Sequence, residues 1–473
     1  MAGPAGEQNG NFLRVLGRGD VLALAFGAMI GFGWVVLSGE FLNGAGSLGA
    51  ALAFVIGGGI VCLVGLTYAE LVSAMPKAGG EHNYALRGLG AHGGFVASWG
   101  IVLGYLTVVA FEAVALPETV LYLVPDLKAG YLWTIAGYDV YATWAAVGSV
   151  SAVLITALNY IGIRPASVFQ MVAVLFLVAV GAALLLGSFV GGSAANMSPL
   201  FSGGVGGLVG VLVATPFLFV GFDVIPQSAE EIKLPYRQVG RILVISVACA
   251  TAWYILIMLT VSSALSREGL KGAQLASADG MAALWGSQAM GNVLIIGGIA
   301  GILTSWNAFL IGASRLLYAM AVSGMVPAWF GRLHPKYRTP SNALLFLGGL
   351  SVLAPLFGDQ MLSWLVNAGG INIVVAYAVV AMSFLALRRR EPGMERPFRI
   401  PAGAVVGGLA LVLSLGLGSL YLPGMPAALS WPEWLIVGVW WLLGAVFMVR
   451  LPVTSAGPDS EERLLARLAQ RKR

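Results

Sequence analysis

The chain has 473 residues, 58% hydrophobic and only 10% charged, with a mean hydropathy of +0.88. A soluble domain carries about a quarter charged residues, so an ordinary soluble fold is excluded. The +5 charge and pI near 9.2 sit in short loops between apolar stretches, a placement that sets membrane orientation and does not indicate nucleic-acid binding.

The apolar windows predict about twelve spans, at 21–37, 48–74, 95–123, 141–161, 168–190, 207–226, 240–264, 291–321, 342–357, 361–387, 403–422 and 434–450. The polar stretch 1–20 has no h-region or cleavage site, so no cleaved signal peptide is expected and the first span is kept. Cys62 and Cys249 both fall inside spans, where core packing is expected and no disulfide framework exists. With the N-terminus cytoplasmic, 23 of the 26 Lys and Arg lie inside and only Lys128, Arg267 and Lys271 outside. That is the positive-inside pattern, with both termini cytoplasmic. The tail, 451–473, offers Asp459 or Ser460 as an N-cap, Glu461 and Glu462 in a first turn, and apolar Leu464, Leu465 and Leu468. It reads as a short helix on the inner membrane surface or as a solvated end.

Spans one to five (21–190) and six to ten (207–387) form blocks of 170 and 181 residues, followed by two further spans in 403–450. Each block opens on an interrupted span. Gly27, Gly31 and Gly33 punctuate the first, and Pro216, Gly221 and Pro226 the sixth. Glycine and proline open a helix where a ligand can take up the freed backbone groups, and matched broken spans point to a transporter's central site. Close helix packing is the other use of such small residues.

Five stretches stand out: GAMIGFG at 27–33, MPKAGGEHNYALRGLG at 75–90, FLFVGFDVIPQSAEEIKLPYRQVG at 217–240, SRLLYAMAVSGMVPAWFGRLHPKYRTP at 314–340 and RPFRIP at 396–401. Together, and over nearly the whole chain, they resemble the amino acid-polyamine-organocation superfamily of permeases, in the manner of its basic amino acid and amine permeases. The resemblance implies an all-α, leucine-transporter-type fold: a five-plus-five inverted repeat, two C-terminal helices, and alternating access to a midplane site. A break near Gly31 offers the amides of Phe32 and Gly33 to a substrate carboxylate, beside Ile30. The carbonyls of Met29, Phe217 and Val220, with Gly221 in the second break, are placed to accept from an ammonium group. Phe217 matches the family's aromatic gate position, and Trp306 a position lining the outer side of the pocket; helix packing is the alternative for each. Phe32 stands where many members have Ser or Thr between the two glycines. An amine lacking a carboxylate is therefore an alternative substrate.

Acidic residues within spans are costly, so each needs a role. Glu112 lies 17 residues into the third expected span, roughly 25 Å along that helix, where it could carry a proton, pair with a substrate ammonium or make a structural hydrogen bond. Asp223, past the sixth-span break, suits an inner gate or a helix-stabilising hydrogen bond. Glu230 and Glu231 lie among Lys233, Arg237 and Arg241, as gate ion pairs or a solvated cluster, and Glu70 reads as structural. The coupling ion is open between H+ and Na+. By resemblance, Gly27, Ile30 and Gly301 carbonyls with Thr304 and Ser305 hydroxyls would form a sodium site, unless those hydroxyls simply bond their own helix. Some proton-coupled relatives place a lysine on span five, and 168–190 has none.

An intramembrane enzyme lacks its parts: His82, His92 and His334 fall in or beside loops, and HExxH, GxSxG and CxxC are absent. Neither half shows a pore motif, which argues against a channel. The expected protein is thus a secondary active amino-acid importer of the plasma membrane, in a bacterium its inner membrane, with a small-molecule substrate, no cofactor and no nucleic-acid partner. The alternatives are an amine or polyamine permease and a non-transporting nutrient sensor; oligomeric state is not encoded legibly.

Overall fold

The computed structural model of the protein describes residues 12–31, 33–135 and 137–471. It is nearly all helical. The first span runs as α1 (Arg18–Met29), opens, and resumes as α2 (Gly33–Val36) and α3 (Ser38–Ala45). Then follow α4 (Ser47–Ala74), a loop helix α5 (Glu81–Leu89), α6 (Ala91–Val120), a hairpin of β1 (Tyr131–Ile135) and β2 (Tyr138–Tyr141), α7 (Ala142–Tyr160) and α8 (Ile163–Gly191). The second block holds α9 (Gly204–Phe219), α10 (Val224–Gln227), α11 (Tyr236–Ala264), loop helices α12 (Arg267–Gly272) and α13 (Ala276–Trp285), α14 (Gln288–Val322), α15 (Ser341–Leu353) and α16 (Met361–Arg390). Last come α17 (Gly403–Ser419), α18 (Trp431–Met448) and α19 (Ser460–Arg471).

Among the described residues, ten helical segments are long and apolar enough to cross a membrane, and two shorter apolar ones, Ser341–Phe357 and Gly403–Ser419, fall at the ninth and eleventh expected spans. Their burial sorts them. The most apolar stretch of α6 is 94% buried, against 33% for α8 and 22% for α18. So α6 is the centre of the bundle, while α8 and α18 present Val172, Leu175 and Leu442 outward, an apolar belt that needs lipid. Cys249 belongs to this exposed surface, against the core packing expected of it, whereas Cys62 is half-buried and packs against the core. A span facing lipid is apolar outside as well as inside, which hides the difference from the sequence.

The helices pack in matching pairs. α4 packs on α9 as α11 does on α1; α8 packs on α14 and α1 as α16 does on α6 and α9; α6 with α7 corresponds to α14 with α15.

Both described termini reach one end of the bundle. Phe12 stacks edge-on to Tyr318, and the Val15 and Leu16 amides donate to the Glu231 carbonyl at 2.9 Å. The tail forms the expected helix, α19. It seats on the protein, with Leu464 buried, Leu468 against Gly324, and Glu461 accepting from Lys77 (2.6 Å) and Ser323 (3.2 Å). At the same end Glu70 accepts from Arg388 (2.9 and 2.5 Å) and the Ile400 amide (2.9 Å), and pairs with Arg396 (3.1 Å). This pins the RPFRIP stretch to α4, the structural role expected of Glu70.

Candidate functional site

The two interrupted helices meet at their breaks. α1 ends at Met29 because the chain turns out of helix at Ile30 (φ −102°, ψ 38°). In the sixth span the helix continues through Pro216, and Pro226 lies inside α10; the chain opens only at 220–223, around Gly221 at φ 129°. The expectation that both prolines mark the break is therefore corrected, since a helix loses one donor at proline without having to end. Gly221 is required by geometry. A side chain there would come 3.1 Å from the Ala28 carbonyl carbon and 3.2 Å from the Met29 nitrogen, so the two breaks touch backbone to backbone. Gly301 of α14 lies equally close to the carbonyls of Gly31 and Ile30.

Between the breaks is a cavity of about 20 Å3, room for roughly one water. It is lined by Met29, Gly31, Gly33 and Phe217, as expected, and by Glu112. Its apolar wall is Ala28, Val108, Phe111, Leu218 and Phe309. Trp306 is fully buried but does not line the cavity; Phe309, one turn further along α14, does. Ile30, Val220 and Gly221 lie in the breaks without lining it, and Phe32 is outside the described residues.

Three polar features define the chemistry. Glu112, on the buried face of α6, accepts a hydrogen bond from Ser305 through Oε1 and has Oε2 unpartnered. It is the one acidic side chain of the lining, and Gly31 leaves it space: a Cβ there would stand 3.1 Å from Oε1. Tyr254 of α11 donates to the Met29 carbonyl at 2.9 Å, taking one of the acceptor positions expected for substrate. Asp223 accepts from the Gly221 amide at 2.8 Å through Oδ1, which supports the break itself, while its Oδ2 has no partner.

The five positions of the expected sodium site do converge. Yet Thr304 donates toward the carbonyls of Gly301 (2.8 Å) and Gly27 (3.1 Å), and Ser305 is turned to Glu112. Sequence reasoning, having looked only for a lysine on the fifth span, misses Gln170. Its amide nitrogen lies beside Gly27 and donates to the Ala23 carbonyl (3.2 Å), and its oxygen accepts from Asn307 (2.8 Å), which in turn accepts from Asn159 (2.9 Å).

On one side of the cavity Phe111 packs edge-on to Phe217 at 5.4 Å. Beyond them a vestibule of about 330 Å3, flanked by Glu40 and Asp359, opens toward the hairpin. On the other side the path is sealed. Phe222 and Tyr377 pack at 5.6 Å, Tyr68 packs on both, and Arg315 makes a two-pronged ion pair with Glu231 (2.9 and 3.0 Å), both fully buried. Glu231 is thus no part of a solvated cluster, because α14 brings Arg315 to it. His82, on the loop helix α5, is likewise buried, between Ser98 (3.2 Å) and Ser323 (2.8 Å). Burial pushes its imidazole down to about 4.

A family model described as amino acid permease matches residues 16–451. Similar proteins include a branched-chain amino acid permease of Bacillus subtilis, 27% identical and covering 93% of this chain and 94% of the relative. A methylthioribose transporter of the same organism is 26% identical over 92% and 94% of the two chains. An aspartate-proton symporter, also from Bacillus subtilis, is 25% identical over 98% and 88%.

Proposed function

This chain belongs to the amino acid permease family of the amino acid-polyamine-organocation superfamily, and from that premise we propose that it imports a small apolar amino acid by proton-coupled alternating access. The observation that carries this reading is the cavity between the breaks: one carboxylate with a free oxygen, a glycine backbone, the Tyr254 side chain whose hydroxyl is bonded to Met29, and otherwise apolar walls. In this state the cavity holds no more than a water; once the breaks part and it widens, an ammonium group would meet Glu112 Oε2, a carboxylate the Gly33 amide, and an aliphatic side chain Val108, Leu218 and Phe309. The branched-chain permease among the relatives agrees with that wall.

The choice of proton over sodium rests on two features. Both hydroxyls of the candidate sodium site already serve protein partners, and the Gln170 amide group beside Gly27 is a donor, which repels a cation. A relative named as a proton symporter is consistent with this. The paired helix contacts of the two blocks support an inverted repeat of α1–α8 and α9–α16, and so a rocking of one set of helices against the other. The positive-inside count supports placing the end that carries both termini in the cytoplasm, in a bacterium beneath the inner membrane. In this reading the structure has its outer vestibule open as far as Phe111 and Phe217 and its cytoplasmic end closed.

Glu112 also supports a second reading, an amine permease, because a carboxylate alone can hold an amine. Competition separates them. Excess leucine or valine should abolish uptake of a labelled branched-chain amino acid while excess putrescine leaves it intact; the reverse pattern with labelled putrescine would establish the amine.

A further inference from the structure

Below the site, toward the end that carries the termini, lies a group of buried polar atoms that the transport cavity does not use. Glu81, the first residue of α5, is fully buried; its Oε2 accepts from the Gln227 side chain and its Oε1 has no partner. Asp223 Oδ2 and Gln227 Oε1 are also buried and unpartnered. Around them stand four buried tyrosines, Tyr68 of α4, Tyr84 of α5, Tyr105 of α6 and Tyr377 of α16; Tyr68 faces Glu81 and Tyr105 faces Asp223, and none of the four hydroxyls makes a hydrogen bond of regular geometry. Their rings are close, with Tyr68 6.3 Å from Tyr84 and 6.1 Å from Tyr377. Buried carboxyls are ordinarily matched by a cation or by full hydrogen bonding, so two facing each other among tyrosine hydroxyls need an explanation.

Charge narrows it. Among the described residues, no lysine, arginine or histidine bonds to Glu81 or Asp223. The cations on neighbouring elements are already engaged: Arg315 of α14 with Glu231, and Lys77 with Glu461 of α19. His82, next along α5, is held between Ser98 and Ser323. Two adjacent carboxylates out of water without a cation cannot both stay ionised, because each pays desolvation and repels the other. Burial first, and the Asp223 charge second, push the Glu81 carboxyl well above the usual carboxylate range. A ring-packed, fully buried cluster suits the smallest ligand of all. A proton needs no cavity, and it turns one orphan acceptor into a donor.

We propose that Glu81 and Asp223 form a single proton-binding site that holds one shared proton while this end is closed and releases it to that side when α5 leaves the sixth-span break. The location supplies the coupling. Asp223 props the break through Gly221, whose backbone touches Ala28 and Met29 of the first break. Glu81 stands on the loop helix that closes the end, joined to α10 through Gln227. When α5 and α10 separate, each carboxyl gains water, the shared O–H bond breaks, and the proton passes to water. Whether the proton is held thus follows whether the end is shut. This rests on the transporter reading for its purpose, but the site can be detected without transport.

The test uses full-length protein in lipid vesicles and two readouts. Infrared difference spectra across a pH titration should show a carboxylic-acid carbonyl band at neutral pH that Glu81→Gln and Asp223→Asn each remove, and that Glu81→Asp keeps. In uptake, Glu81→Gln should exchange substrate but lose accumulation against a gradient, with a pH profile flattened relative to wild type. Glu81→Asp should keep a profile of wild-type shape. A band unchanged in both variants overturns the proposal. So does a Glu81→Gln profile parallel to wild type and lowered by one constant factor, which is what a structural role gives. If Glu81→Gln does not fold, Glu81→Asp and Asp223→Asn carry the same comparison. A band that behaves as stated, with no amino-acid uptake in any preparation, upholds the proton site and rejects the transporter reading.

Discussion

The buried Arg315–Glu231 pair joins the segment just past the sixth-span break to α14, so it should hold the closed end together. Both prongs are short, at 2.9 and 3.0 Å, both side chains are 1–2% exposed, and the guanidinium also lies over the Phe12 ring, 5.8 Å from its centroid. Removing one partner leaves the other as an uncompensated buried charge, at about 3–5 kcal/mol. At about 1.4 kcal/mol per factor of ten, that shifts the balance against the closed, folded state by roughly a hundred- to several-thousand-fold. Replacing both by methionine removes the charges together and should restore much of the loss. Unfolding of purified protein in detergent, run as a double-mutant cycle on Glu231→Met, Arg315→Met and the pair, reads the coupling directly. Each single change should be clearly less stable than the double. Single changes within about 1 kcal/mol of wild type, or strict additivity, would refute the reasoning.

Gly221→Ala forces φ 129° on an L residue and drives a Cβ against Ala28, at about 1–3 kcal/mol of backbone strain before any clash. Uptake per folded molecule should fall at least about tenfold; unchanged uptake would show that the breaks need not touch. His82 ties stability to pH with a definite sign. Its folded value near 4 lies below the unfolded value of about 6.5, so the unfolded chain gains the proton first. The His82 contribution should be flat above pH ~6.5 and fall as the pH drops toward ~4, by up to about 3 kcal/mol, so that His82→Gln makes the slope of pH-dependent unfolding shallower over that range. Glu461→Ala removes the contacts to Lys77 and Ser323 and should expose the tail to limited proteolysis. The half-exposed pair itself should contribute no more than about 1 kcal/mol to global stability. Undiminished protection of the tail would mean that Leu464 and Leu468 suffice to seat it.

Much of this architecture is legible in the sequence because a bilayer leaves few choices: apolar length marks a span, loop charge marks a side, and glycine in a span marks an opening. Gly31, Gly221 and Glu112 are found this way, since each is costly or permissive where it stands. Azimuth is what stays hidden. A helix apolar all round has no stripe to orient it, so Trp306 and Phe309, three positions apart on α14, cannot be told apart until packing puts Phe309 on the cavity. Tyr254 on Met29, Arg315 on Glu231 and the Gln170–Asn307–Asn159 chain join residues far apart in sequence, and spacing alone carries no trace of them. The buried state of His82 and Glu81 is hidden for a different reason: a polar stretch between spans reads as a loop, whereas α5 folds back into the bundle's end.

The most direct measurement is accumulation of labelled leucine or valine in sodium-free proteoliposomes under an inward proton gradient, with a protonophore arm and protein-free vesicles as controls. The account predicts accumulation above the protein-free level that the protonophore collapses and that added sodium does not raise. Accumulation that appears only with sodium, or none for any amino acid under either gradient, would contradict it.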